Sequence, residues 1–179
     1  MSPNELHKAE AIEEKETNRV EAFSDGVFAI AITLLVLDLK VPKAESLDPG
    51  SGLWRYLVDQ WPVFMAYLVS FCTILIMWIN HHRLFNLIRR VDDTFLYLNG
   101  FLLLFISLTP FPTSLLAEHL QHTDASTAAA IYSGNALFIA LMFNAVWRYA
   151  AHDNRLLHRN ADAELVRGVS RQYWFGPPL

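Results

Sequence analysis

No charged residue interrupts the chain between Gln60 and Ile79, between Thr94 and Ala117, or between Ala125 and Trp147. Uncharged runs of about 20 residues or more, at about 1.5 Å of rise each, are long enough as helices to cross the hydrocarbon core of a bilayer. A soluble helical bundle of 179 residues would instead show its apolar residues at a helical period. The predicted fold class is therefore all-α, a multi-spanning membrane helix bundle.

A further stretch, Arg19 to Val41, differs in kind. Its uncharged part, between Asp25 and Asp38, is only about a dozen residues, too short to span. To cross, this helix must carry Ser24 and Asp25, or Asp38, towards the membrane. An ionisable side chain at depth is costly and faces a bundle interior or a water-filled path. This first helix is thus the candidate functional element.

In chain order, residues 1–18 form a polar, Glu-rich N-terminal segment, read as a frayed or surface helix outside the membrane on the cytoplasmic side. They lack the apolar core of a cleavable leader, so the first span is expected to act as its own insertion signal. The transmembrane domain is assigned to 19–179, with spans at about 19–41, 53–79, 94–117 and 125–147 and the aromatic start of a fifth at about 172. Pro42 ends the first span, and Trp54, Tyr56 and Trp61 suit an interfacial belt. Pro110 and Pro112 are expected to kink or end the third span. Asn99-Gly100, inside an apolar run, predicts a close helix contact and an interhelical hydrogen bond. The single cysteine, Cys72, reads as a buried small residue.

Basic residues set the orientation. Arg83, Arg89 and Arg90 follow the second span, and Arg148, Arg155, Arg159, Arg167 and Arg171 follow the fourth, whereas the loop after the third span has none. This alternation places the N-terminus in the cytoplasm, with Lys40 and Lys43 a modest exception.

Ile30, Leu34, Leu37 and Val41 share one face of the first helix. Such a stripe packs against neighbouring helices, or it lines a pore. Repeated around a symmetry axis, bulky aliphatic rings form a constriction that gates by dewetting. Thr33 then offers a hydroxyl to a passing ion, and Asp38 a cation-attracting ring. Arg19 and Asp25, six residues apart, do not pair within one helix, so each is expected to bond elsewhere. Trp78, Asn80, His81 and His82 close the second span on the same membrane side, and an indole or imidazole N–H there would satisfy Asp25. Adjacent histidines diverge on a helix, and neither His81-His82 nor His119 with His122 has a well-spaced third ligand, so no metal site is expected. The chain has no phosphate loop, nucleophile elbow, zinc-protease motif or T-V-G-Y-G filter. An enzyme is not expected, nor a cofactor, nor a nucleic-acid partner.

The stretch R-V-E-A-F-S-D-G-V-F-A-I-A-I-T-L-L-V-L-D-L resembles the signature of the transmembrane protein 175 family of potassium channels, in its prokaryotic single-repeat form. The R-x-x-x-F-S-D motif is matched by Arg19, Phe23, Ser24 and Asp25, and W-I-N-H-H-R-L-F (Trp78 to Phe85) and the pattern around Asn99 and P-F-P are also similar. The resemblance implies a six-helix subunit, a homotetramer in the bilayer, and a pore lined by the first helices. It implies a gate at Ile30, Leu34 and Leu37 and passage of K+ and other monovalent cations. Modest preference for K+ would follow from dehydration, since potassium gives up water more easily than sodium. Against six expected helices, four spans and the start of a fifth are visible: either the chain is truncated or the last helices are absent from it. The expected function is passive potassium conduction in a bacterial inner membrane. A proton-coupled carrier using Asp25 with His81 or His82, and a non-conducting scaffold, remain alternatives.

Overall fold

The computed structural model describes residues 3–43, 52–158, 166, 168 and 169. Among these, the chain is helical almost throughout. Helix α1 (Pro3–Leu34) runs on into one 3-10 turn, Leu35–Asp38. Then follow α2 (Gly52–Asp59), α3 (Trp61–Phe85), α4 (Asp93–Leu108), α5 (Pro110–His119) and α6 (Ala125–Ala151). Four stretches are long and apolar enough to span a bilayer: Ile12–Asp38, Trp61–Phe85, Asp93–His119 and Ala125–Asn154. This is a membrane protein. The expected start of a fifth span lies outside the described residues.

The boundaries moved for physical reasons. The helix expected before Arg19 is continuous with the first span: α1 runs unbroken from Pro3 and leaves α geometry at Leu35. Its polar start is held by the connection between α3 and α4. Thr17 is buried, with Oγ1 3.1 Å from the Arg89 carbonyl, and Glu13 faces Arg89 at 3.4 Å and Arg90 at 4.0 Å. The predicted second span splits at Gln60. There α2 stands apart with no buried residue, and Pro62, whose missing N–H suits a first turn, opens α3. Helix α3 does not stop at Ile79 but runs to Phe85, because Asn80 and His81 are buried inside the bundle. Cys72, expected to be buried, is exposed on the outward side of α3.

The third span bends where its prolines predict. Thr109 N–H bonds back to Ile106 at 3.1 Å, a 3-10 contact, and α5 restarts at Pro110. The freed Phe105 carbonyl accepts from Thr109 Oγ1 (3.1 Å) and from Asn135 Nδ2 of α6 (3.3 Å), so the break is repaired from a neighbouring helix. At the other end of α4, Asp92 caps the helix by accepting from Phe95 N–H at 2.9 Å, and its second oxygen accepts from Tyr149 OH at 2.8 Å.

After α6, Asp153 and Asn154 adopt left-handed backbone (φ 54° and 52°), which short polar side chains tolerate. The chain thereby folds back. Arg89 N–H bonds to Leu156 at 2.8 Å, His158 N–H to Leu87 at 3.1 Å, and Leu156 and Leu157 are buried. The main core lies between α1, α3, α4 and α6 around Phe28, Phe95, Ile106, Ile139, Phe143 and Trp147.

Candidate functional site

Helix α1 presents two unlike faces. Thr17, Ser24, Phe28, Ala31 and Leu35 recur at spacings of seven, four, three and four, and all are buried against the rest of the subunit. The other side holds Phe23, Ile30, Leu34 and Leu37, which are 67%, 60%, 40% and 70% exposed. The aliphatic stripe singled out from the sequence therefore faces away from its own bundle. Thr33 sits on this exposed side, its Oγ1 donating to the Ile30 carbonyl at 2.9 Å, which leaves its lone pairs outward.

The polar residues at the start of the spanning segment turn the other way. Trp78 Nε1–H donates to Asp25 Oδ1 at 2.8 Å, tying α1 to α3. Asn99 of α4 donates through Nδ2 to Ser24 Oγ at 3.0 Å, and Ser24 itself donates to the Val20 carbonyl at 2.8 Å. The other Asn99 atom, Oδ1, lies 3.1 Å from His81 Nε2. With the Asn99 amide used on Ser24, the imidazole must be the donor, so its proton is on Nε2 and Nδ1 is a bare lone pair. That Nδ1 has no partner, and the ring is enclosed by Phe85 (4.5 Å, stacked), Phe28 (5.2 Å) and Phe143 (6.4 Å). His82, one residue on, is exposed and bonds Glu21 at 2.9 Å.

The remaining sequence candidates lie elsewhere. Arg19 does not reach Asp25. It lines an open groove of about 590 Å³ between α1 and α4, with Glu16, Phe23, Asp93 and Gly100. Asp38 is half-buried and accepts from Ser114 Oγ of α5, so its carboxylate points into its own subunit. Among the described residues no group of three side chains is placed to hold a metal ion.

Two sets of polar residues were not singled out in the sequence. Ser114 is one. The other is a set of side chains joining α3, α5 and α6: Tyr132 OH and Ser70 Oγ share a bond (3.1 Å), Thr113 Oγ1 donates to Ser70 Oγ (2.8 Å), and Asn135 Nδ2 donates to Thr109 Oγ1 (3.1 Å). Their signal was the one that pointed to Asn99, a hydrogen-bonding side chain within an uncharged run.

Comparison with known proteins agrees with this arrangement. Residues 19–110 match the family described as endosomal/lysosomal potassium channel TMEM175. A potassium channel of Chamaesiphon minutus is 52% identical over 170 residues, covering 95% of this chain and 83% of the relative. A potassium channel of Streptomyces collinus is 48% identical over 162 residues, covering 90% and 77%. The crystal structure of a lysosomal potassium-selective channel TMEM175 homolog from Chamaesiphon minutus superimposes with a TM-score of 0.81 at 49% identity, covering 91% of this chain and 81% of that one. The chain belongs to the TMEM175 family of potassium channels.

Proposed function

We propose that this protein is a passive, potassium-permeable cation channel in which α1 helices of four copies surround a central pore. One observation carries the reading: Ile30 and Leu34 on α1 and Leu37 on the 3-10 turn that closes it are exposed, while Ser24 and Asp25, the polar residues before them in sequence, are bonded to α4 and α3. A helix that hides its polar groups and shows its aliphatic ones has its outward face prepared for its own copies. Four copies of each aliphatic residue make successive apolar rings, and water leaves such a ring readily. An ion must then shed hydration to pass, which favours K+ over Na+.

Selectivity by backbone carbonyls does not suit this helix. Helix α1 is regular from Pro3 to Leu34, and an α-helix directs its carbonyls along its own axis, which favours a pore surface made of side chains. Thr33, one turn from Ile30 and Leu37, supplies the polar contact nearest the constriction. In this reading the N-terminus lies in the cytoplasm of a bacterium, with Asp38 at the outer mouth of a channel in the inner membrane. No cofactor is required, and K+ is the permeant ion rather than a resident one. Asp25 bonds Trp78, His81 bonds Asn99 and His82 bonds Glu21, so neither imidazole is hydrogen-bonded to Asp25 as the direct relay of a proton-coupled carrier would need.

The test is Ile30→Asn in purified protein reconstituted into liposomes. A polar ring lowers the dehydration barrier, so K+ leak should rise and discrimination against Na+ should fall. Flux and zero-current potential identical to the parent would remove Ile30 from the constriction.

A further inference from the structure

At the Asp38 end of the bundle, α1 tightens into its 3-10 turn, and the chain leaves helical geometry at Leu39 (φ −78°, ψ 83°). The turn carries two residues of opposite disposition. Leu37 is exposed, whereas Asp38 is half-buried against α5, where Ser114 Oγ donates to its Oδ2. Ser114 has one hydroxyl proton and a second acceptor within reach, the Pro110 carbonyl at 3.0 Å. The carboxylate, being charged, is the stronger acceptor and takes the proton. Should Asp38 move away, a rotation about the serine side chain hands the proton to Pro110, and no donor is orphaned.

The carboxylate is also satisfied on either side of that exchange. Asp38 borders an open cavity of about 330 Å³ shared with Lys40, Asp59, Glu118 and His122, so it can leave Ser114 without becoming an unpaired buried charge. Helix α5 meanwhile holds Ser114 in a fixed place. Thr113, its neighbour, is buried, with Oγ1 2.8 Å from Ser70 of α3, and the bend before α5 is braced by Asn135. The result is a carboxylate beside an open cavity, held by one hydroxyl on a well-braced helix.

We propose that Ser114 is a positioning residue for conduction: it holds Asp38 against α5, out of the ion path, and so limits the negative charge that the outer mouth presents to cations. This rests on the channel reading and adds to it a residue that sets conductance without touching the ion. Releasing Asp38 in four copies would concentrate cations at the mouth. The effect must depend on salt, because the Debye length shrinks from about 30 Å at about 0.01 M to about 3 Å at about 1 M.

The experiment is K+ conductance of the purified full chain in planar bilayers at low and high KCl. Ser114→Ala should raise conductance at about 10 mM KCl by at least about twofold, with the excess vanishing near 1 M as screening removes it. Ser114→Thr, which keeps the hydroxyl, should behave as the parent, and adding Asp38→Asn to Ser114→Ala should abolish the excess. A salt-independent change, or one that survives Asp38→Asn, would reflect general disturbance of α5 and overturn the proposal. The parent protein gives a reading even if Ser114→Ala fails to assemble: its conductance should fall nearly in proportion to KCl, whereas a plateau at low salt removed by Asp38→Asn would place the carboxylate already in the ion path and refute the latch. A parent that passes no current would sink the channel reading itself.

Discussion

Asn99→Leu gives the sharpest test of the polar network behind the pore helix. Asn99 is buried and joins Ser24 on α1 to His81 on α3. Leucine fills a similar space but accepts no hydrogen bond. Ser24 keeps its bond to the Val20 carbonyl, so the loss falls on His81, whose Nε2–H is left without an acceptor. His81 has no exposed surface, and its neighbours are aromatic rings, so water cannot replace the amide. Orphaning a buried donor costs about 1–3 kcal/mol. Interhelical bonds in membranes average nearer about 0.6 kcal/mol, because the unfolded chain finds partners too, and this sets the lower bound. The expected loss is therefore between about 0.6 and about 3 kcal/mol. Adding His81→Phe should restore much of it. Phenylalanine removes both imidazole nitrogens, including the partnerless Nδ1, and keeps the stacked contact with Phe85. Replacing both members of a buried polar pair is nearly neutral, whereas replacing one is not. The assay is a double-mutant cycle on reversible unfolding in lipid–detergent mixtures. Asn99→Leu/His81→Phe should be more stable than Asn99→Leu alone, with a coupling of about 0.6 kcal/mol or more. Purely additive losses would show that Asn99 and His81 do not act through one hydrogen bond.

Asp25→Ala should lower the yield of assembled protein while leaving the selectivity of what assembles unchanged, since it strips Trp78 of its acceptor; Asp25→Asn, which keeps an acceptor oxygen, should restore the yield by size-exclusion chromatography. Ile106→Ala should cost about 2–5 kcal/mol in the same unfolding assay, because Ile106 is fully buried and its removal leaves a cavity. Glu13→Gln should cost under about 1 kcal/mol despite facing two arginines, because those pairs are partly exposed and long.

Much of this was legible in the chain. Uncharged runs located the spans, and the proline pair located the bend in the third. Asn99 announced an interhelical bond because an amide in an apolar run must be satisfied by a neighbour. What hydropathy misread was the end of α3. Asn80, His81 and His82 look like an exit from the membrane, but Asn80 and His81 are interior residues, and polarity alone does not separate a solvated end from a buried network. Pairings across the chain were hidden for a different reason. Asp38 with Ser114, and Asn135 with Thr109, join positions on different helices, and no local spacing rule reports a contact set by packing. Asp38 illustrates the consequence: alone it reads as a charge for the pore mouth, and only the position of α5 turns it inward. Cys72 reversed in the same way, since an apolar run does not say which residues face lipid.

The measurement that bears most directly on the central claim is the zero-current potential of liposomes holding the purified protein, with K+ on one side and Na+ on the other. Passive conduction through an aliphatic constriction predicts uncoupled flux, without a proton gradient, and a potential displaced towards the potassium equilibrium value. Flux that appears only with a proton gradient, or none at all from an assembled preparation, would contradict it.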